Sequence, residues 1–134
     1  MKLLLDTHTA VWLLEGDRNL GRKARARCDA ALAGGDVAIC SVSIYELGVL
    51  VVRKRLESLR PLADWRHAIR SIGISECVLD GELAARAAHL EAFHFDPADR
   101  IIVATAQAHG RALVTADRQI LGWNGRLELV DAHR

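Results

Sequence analysis

The sequence is poor in cysteine and shows no sign of a disulfide framework or a zinc site. Its three cysteines, Cys28, Cys40 and Cys77, are an odd number at wide spacing, with no C-x-x-C pair. The six histidines are scattered and form no H-E-x-x-H motif. The cysteines are therefore expected to be reduced core residues, as in a cytosolic protein.

The sequence also lacks an excess of charge and has few aromatic residues. Lys and Arg number 18 against 17 Asp and Glu, so the formal net charge is +1 and no whole-molecule field attracts nucleic acid or anionic membranes. Aromatic residues make up 4% and hardly alternate with basic ones. We therefore expect Trp12, Trp65 and Trp123 in the core or at dimer contacts rather than as platforms for bases.

No hydrophobic run is long enough to cross a membrane. The run at 47–52 is far too short, and the amino terminus reaches a carboxylate at Asp6 too early for a signal sequence. The motifs of P-loops, dinucleotide-binding folds and serine hydrolases are also missing. We expect a soluble cytoplasmic protein whose chemistry depends on its acidic residues.

The sequence does contain the material for one globular domain over residues 1–134. Hydrophobic residues make up 51%, and no repeat, low-complexity segment or linker divides the chain. Apolar runs typical of buried strands, at 3–5, 37–40 and 112–115, are separated by helical patterns. This alternation predicts an α/β fold with a central parallel sheet of four to five strands flanked by helices.

Capping and stop signals place the helices between these strands. Asp6 or Thr7 caps the first helix, Ser41 or Ser43 opens the third, and Asp96-Pro97 starts an apolar helix. Short strands are also predicted near 77–79 and 127–130. The remaining helices are predicted at 20–32, from Pro61 to Ile72, from Asp80 to near Glu91, and as one turn at Asp117.

Acidic residues occupy the positions where an open parallel sheet binds its ligands. Asp6 follows the first predicted strand and Asp117 follows the strand at 112–115, so both belong to the carboxyl edge of the sheet. Glu46 and Asp99 lie in the predicted first turns of two helices, from which they can reach the same edge. These acids are the candidate functional residues.

Each of these acids, taken alone, has a purely structural explanation. An acid in the first helical turn offsets the helix dipole and caps free amides. Ser43-x-x-Glu46 matches a capping box, and Asp96-x-x-Asp99 has a similar spacing. The interpretation as a site depends on the acids acting together.

Converging carboxylates need a proton or a cation. Two of them about 4 Å apart repel by roughly 4 kcal/mol at an effective dielectric constant near 20. Mg²⁺ and Mn²⁺ prefer carboxylate oxygens, keep several waters and bridge to phosphate oxygens. The acids therefore point to metal-assisted phosphoryl transfer, in which a coordinated water attacks and no protein nucleophile is needed.

Four motifs in this order resemble those of the PIN-domain family. They are an Asp closing the first strand, a Glu opening a helix, a D-x-x-I-x-A-T-A-like helix start and a T-x-D. Each motif alone is weak, but the four in the right order and elements are specific. In this chain they are Asp6-Thr7, Tyr45-Glu46-Leu47, Asp99–Ala106 and Thr115-Ala116-Asp117. The variants Asp6-Thr7-His8 with Trp12, and His94–Arg100, are similar to a subgroup of bacterial VapC-type toxins.

The resemblance implies a PIN-like domain and an Mg²⁺- or Mn²⁺-dependent endoribonuclease with Asp6, Glu46, Asp99 and Asp117 as metal ligands. It also implies a cognate antitoxin protein as partner, and a homodimer. Asp96 is an additional acid, which we interpret as the cap of the Pro97 helix. The RNA target and the number of metal ions are not determined by these residues.

Basic residues and histidines near the acids have both structural and functional interpretations. Arg100 is a candidate partner for a carboxylate or a phosphate, and His8 and His94 lie near the proposed site in sequence. Solvated helix faces account for most of the basic residues. Those that could hold RNA phosphates are Arg22, Lys23, Arg25, Arg27, Arg53, Lys54, Arg55 and Arg60.

Two other function classes compete with a nuclease. A phosphate-signalling receiver domain is also α/β, but it needs paired acids after the first strand and a late lysine, whereas this chain has Asp6-Thr7 and a carboxyl half without lysine. A catalytically silent PIN module that only binds RNA or protein is the alternative within the same family, and the intact acids argue against it.

Overall fold

The structure is a computed structural model, and it describes residues 1–56, 58–93 and 96–134. His94, one of the two histidines placed near the proposed site from the sequence, lies outside the described residues. One or two helices separate each strand from the next. Their bounds are β1 Leu3–Leu5, α1 Thr7–Glu15, α2 Arg22–Ala33, β2 Val37–Cys40, α3 Val42–Val52, α4 Leu62–Ser71, β3 Ser75–Cys77, α5 Gly81–Ala88, α6 Pro97–Ala108, β4 Ala112–Thr115, α7 Arg118–Leu121 and β5 Leu129–Asp131.

The strands form one sheet in the order β3-β2-β1-β4-β5, and every neighbouring pair is parallel. In β1, Leu4 pairs with Ala38 on one side and with Leu113 on the other. The first strand of the sequence is therefore the centre of the sheet. This confirms the predicted α/β architecture with a central parallel sheet flanked by helices.

Side chains alternate between two apolar layers, as the pleat of a strand requires. Leu3 and Leu5 face the layer that contains α1, α2 and α4 with the buried Trp65. Leu4 faces the opposite layer, in which Ile102 and Val103 of α6 pack on the sheet. The strands β1, β2 and β4 are buried along their whole length, which explains why they are continuous apolar runs.

Several predicted element boundaries differ from the structure. Strand β3 ends at Cys77 rather than beginning there, and β5 is an edge strand that starts at Leu129 rather than 127. Helix α5 ends at Ala88, three residues before Glu91. These elements are short and only partly buried, so apolar content marks them weakly.

The structure confirms the interpretation of the cysteines. Cys28, Cys40 and Cys77 are all free and buried, and burial raises the pKa of Cys28 to about 11 and also raises that of Cys77. Within the described part of the chain, no helix is long and apolar enough to cross a bilayer.

Candidate active site

The predicted acids line one cavity at the carboxyl edge of the sheet. The cavity measures about 870 Å³, and Asp6, Glu46, Asp99 and Asp117 all contribute to its wall. Asp6 directly follows β1, and Asp117 lies two residues beyond the end of β4, the strand that pairs with β1. The fold thus brings together all four candidate residues.

Asp6 caps a helix and faces the cavity at the same time. One carboxylate oxygen, Oδ1, accepts the Thr7 backbone N–H at 2.8 Å, and the other, Oδ2, accepts the Thr115 hydroxyl at 2.7 Å. Thr115 is completely buried at the end of β4. Burial raises the pKa of Asp6, while the hydrogen bond from Thr115 opposes the rise.

Asp117 is held by the short helix α7 and by Thr115. Its Oδ1 accepts the backbone N–H groups of Gln119 at 2.9 Å and Ile120 at 3.2 Å, which makes it the N-cap of α7. Its own N–H donates to the Thr115 hydroxyl at 3.1 Å. Thr115 therefore connects the two acids, since it holds the carboxylate of Asp6 and the backbone of Asp117.

The structure contradicts the predicted capping box at Ser43 and Glu46. Helix α3 begins at Val42, so Ser43 lies inside the helix, and Glu46 belongs to its second turn rather than its first. The carboxylate Oε1 of Glu46 accepts the Thr7 hydroxyl at 2.5 Å, and Thr7 Oγ1 is 2.9 Å from the buried Ser43 hydroxyl. Because Thr7 has a single hydroxyl proton, which goes to the carboxylate, Ser43 donates to Thr7.

Asp99 enters the cavity from the first turn of α6. The helix starts at Pro97, and Asp96 caps it by accepting the Asp99 backbone N–H at 2.9 Å. This confirms the interpretation of Asp96 as a cap. Asp96 also lines the cavity, which places another carboxylate beside Asp99.

The carboxylates of the cavity raise one another's proton affinity. The pKa of Asp99 rises from 3.8 to about 7, first because of burial and then because of the charges of Asp96, Asp6, Glu46 and Asp117. The pKa of Glu46 rises through burial and the charges of Asp6 and Asp96, against the hydrogen bond from Thr7. A positive charge in the cavity would relieve this repulsion.

The described acidic side chains do not by themselves form a closed metal-binding cluster. Within residues 1–56, 58–93 and 96–134, no group of three or more His, Cys, Asp or Glu side chains is arranged to enclose a metal ion. Mg²⁺ normally keeps several waters and binds through one or two carboxylates. Desolvated carboxylates around an open cavity match that donor set, since water can complete the shell.

A cationic side chain and a histidine also border the cavity. Arg53, at the carboxyl end of α3, and the exposed His8 both line it. Among the residues that the structure describes, Arg100 forms no ion pair with a carboxylate, contrary to one prediction. It donates to the backbone carbonyls of Ala87 at 2.9 Å and Leu90 at 3.0 Å, and so fixes the end of α5.

The apolar part of the cavity wall was not predicted from the sequence. Val49 and Leu50 line the cavity together with Glu46 and Arg53. These residues stand at positions i, i+3, i+4 and i+7 of α3, so they share one helical face. That spacing, counted from Glu46, was the signal that could have identified them.

Comparisons with known proteins agree with this architecture. A family model described as "PIN domain" matches residues 3–121. Over 123 residues the chain is 34% identical to "Ribonuclease VapC22" of Mycobacterium tuberculosis, and the alignment covers 88% of each protein.

Solved structures share the fold at lower identity. The chain is similar to a chain in the crystal structure of VapBC2 from Rickettsia felis bound to a DNA fragment from their promoter, with a TM-score of 0.70, 14% identity and 98% coverage of both. It is also similar to a chain in a toxin-antitoxin complex from Klebsiella pneumoniae, with a TM-score of 0.65, 23% identity and 98% coverage of both.

Proposed function

The chain belongs to the PIN-domain family, and on that premise we propose that it is an Mg²⁺- or Mn²⁺-dependent endoribonuclease that acts as the toxin of a toxin-antitoxin pair. The observation that carries this proposal is the single cavity lined by Asp6, Glu46, Asp99 and Asp117, which come from separate parts of the sequence. The name of the 34% identical relative, a ribonuclease, supports the same reaction.

The proposed metal ligands are the carboxylates that already face the cavity, namely Asp6, Glu46, Asp99 and Asp117. A bound Mg²⁺ or Mn²⁺ lowers the pKa of a coordinated water and offsets the charge that builds up on the phosphate in the transition state. The raised pKa values of Asp6, Glu46 and Asp99 support a cationic occupant.

The chain's own residues orient the acids and the substrate. Thr115 holds the Asp6 carboxylate and Thr7 holds that of Glu46, so neither acid has to be ordered when RNA binds. Arg53 and His8 line the cavity and are the residues that we propose as contacts to RNA phosphates. Arg53 thus supplies a positive charge at the cavity in a chain whose net charge is only +1.

The direct test compares matched amide variants of the purified protein on cellular RNA. Asp6→Asn and Asp99→Asn should abolish cleavage that depends on Mg²⁺ or Mn²⁺ and is stopped by EDTA. Asp29→Asn is the control, because Asp29 is an exposed acid on α2 and does not line the cavity. Equal cleavage by all variants, or undiminished cleavage in EDTA, would refute the assignment.

A toxin of this kind has a protein partner. We propose that it acts in the cytoplasm, where RNA is accessible. Induced expression of the chain alone should arrest growth, and co-expression of a neighbouring antitoxin gene should prevent the arrest. The toxin–antitoxin complexes among the structural relatives support this partner, and we propose a homodimer as the state of the toxin. Wild-type protein that stays inert with Mn²⁺ once free of antitoxin would instead indicate a silent PIN module.

A further inference from the structure

A second cavity adjoins the acidic one. It measures about 420 Å³, which lies within the usual range of small-ligand sites. His8 and Trp12 of α1 line both cavities and therefore separate them. A ligand that leaves the acidic cavity past these two rings would enter the second cavity.

The shared wall is aromatic. Trp12 stacks on His133 with ring centroids 5.4 Å apart and an interplanar angle of 30°, and His8 lies 6.2 Å from Trp12 on a tilted plane. Trp12 is half-buried and borders both cavities, so part of its ring remains accessible. The buried Trp65 confirms the sequence-based expectation of a core residue, and Trp12, although partly exposed, packs against the same core cluster.

The second cavity also offers both donors and acceptors of hydrogen bonds. Arg55 and Asp17 line it, and so does Glu15, whose carboxylate lies 3.4 Å from the Arg60 guanidinium. The buried indole N–H of Trp65, another wall residue, has no hydrogen-bond partner among the described residues. A ligand with several polar edge groups and a flat face suits this mixture better than a purely anionic one.

We propose that this second cavity is a subsite for an unstacked nucleobase of single-stranded RNA, next to the phosphate held in the acidic cavity, with Trp12 as the stacking surface. The inference rests on the proposed function and names the form of its substrate. Single-stranded RNA is recognised by stacking splayed bases on aromatic rings and by hydrogen bonds to their edges. Arg55, and Glu15 paired with Arg60, supply the polar contacts for such an edge.

The test measures binding separately from cleavage. The full chain carrying Asp99→Asn is titrated into fluorescein-labelled 12-nucleotide RNA of mixed sequence. It is also titrated into a labelled abasic strand, which has the same sugar-phosphate backbone but no bases. Binding to the normal RNA should be about tenfold tighter than binding to the abasic strand, because stacking on one aromatic residue contributes on that order. Phosphate contacts are the same in the two probes.

Substitutions at Trp12 test whether its ring is the surface on which the base stacks. On the Asp99→Asn background, Trp12→Ala should remove the tenfold preference while leaving abasic binding unchanged, and Trp12→Phe should retain most of it. Trp123→Phe is the control, because Trp123 packs against Phe93 and lines neither cavity. Circular dichroism identifies any variant that fails to fold, and Arg55→Ala then serves as the second probe of the same subsite.

Two results would overturn the subsite. One is that the Asp99→Asn protein binds normal and abasic RNA equally tightly. The other is that Trp12→Ala weakens the binding of normal RNA and of abasic RNA by the same factor. Failure of the nuclease assignment would give a different result. The protein would still bind bases through Trp12, but the wild type would cleave no RNA. Metal-dependent cleavage without any base dependence would retain the nuclease and eliminate the subsite.

Discussion

At the scale of single residues, the site depends on hydroxyl groups as much as on carboxylates. Thr115 bonds to Asp6 and Asp117, and Thr7 bonds to Glu46, so two buried threonines hold three of the acids. The hydroxyl donors to Asp6 and Glu46 favour the charged forms of these acids and oppose the rise of their pKa values. Thr7 directly follows Asp6, and Thr115 lies two residues before Asp117, so each threonine belongs to the same motif as an acid.

Replacing Thr115 by valine keeps the shape and removes the hydroxyl. We expect the free energy of unfolding to fall by about 2 kcal/mol, because Asp6 loses a donor and the Asp117 N–H loses an acceptor. Cleavage should fall by about 10- to 100-fold, as is typical when a group that orients a metal ligand is removed. Urea denaturation and a cleavage assay measure the two effects, and Thr115→Ser should restore most of both.

The charge on Asp99 makes the stability of the metal-free protein depend on pH. Its pKa is about 7 when folded, against an ordinary value of 3.8, so the folded state holds a proton that the unfolded chain has released. Stability contributed by Asp99 is therefore present below about pH 4 and lost as the pH rises through about 7. In EDTA, Asp99→Asn should be more stable than the wild type at about pH 8, and the difference should vanish near pH 4.

Urea denaturation of both proteins across this pH range checks the expected window. A difference that does not change with pH would show that the Asp99 carboxyl is not the source. Adding Mg²⁺ at about pH 8 should raise the Tm of the wild type, since a ligand of the folded state stabilises it. Asp99→Asn should show a smaller increase.

At the scale of elements, helix starts deliver the acids to the cavity. Asp6, Asp96 and Asp117 are N-caps of α1, α6 and α7, and Asp99 lies in the first turn of α6. Capping and site formation are therefore not alternatives in this protein. A cap faces the carboxyl edge of a parallel sheet because the helix that follows a strand begins there.

Asp96 allows the capping role to be separated from a metal-binding role. Asp96→Asn keeps a side-chain oxygen for the Asp99 N–H, so stability should change little, whereas Asp96→Ala should cost about 1 kcal/mol. If Asp96 is a cap alone, Asp96→Asn should also cleave RNA at close to the wild-type rate. Denaturation curves with single-turnover cleavage measure both, and a cleavage loss as large as that of Asp99→Asn would make Asp96 a ligand.

At the scale of the whole molecule, the central position of β1 joins the core to the site. The strand is buried on both faces, pairs with β2 and β4, and leads directly into Asp6. Any change in its packing is therefore transmitted to the first acid of the cavity. The apolar layers on either side of the sheet keep this strand in place.

Leu4→Ala tests how much the central strand contributes. Leu4 is completely buried, so the substitution should lower the free energy of unfolding by about 2–5 kcal/mol, as is usual for a core leucine. The matched control is Leu59→Ala, whose side chain is 97% exposed and should contribute less than about 0.5 kcal/mol. Chemical denaturation of the two variants under the same conditions makes the comparison, and similar losses would contradict the burial pattern.

Much of the fold and site could be predicted because local signals agreed with long-range structure. The strands at 3–5, 37–40 and 112–115 have the predicted bounds, since each is a continuous apolar run buried on both faces. The four predicted acids share one cavity. The edge strands β3 and β5 were placed less well, because a partly exposed strand of three residues has no distinctive pattern.

Other features could not be read from local sequence. The sequence left Ser41 and Ser43 as alternative starts of α3, and the structure selects Ser41, whose hydroxyl accepts the distant Leu79 N–H at 3.0 Å. The role of Arg100 at the end of α5 also depends on a contact between separate segments. The joining of Asp6 and Asp117 through Thr115 is likewise a tertiary contact. A residue's neighbours along the chain do not determine which other segment will pack against it.

The amino-acid sequence by itself determined the alternation of strands and helices, the buried strands and the identity of the acids, because these follow from local chemistry and periodicity. Only the tertiary structure decided the strand order β3-β2-β1-β4-β5, the hydroxyls that hold the Asp6 and Glu46 carboxylates, and the second cavity beyond His8 and Trp12. The physical reason is that strand pairing and helix packing join residues far apart in the chain, and their free energies depend on the complete set of contacts.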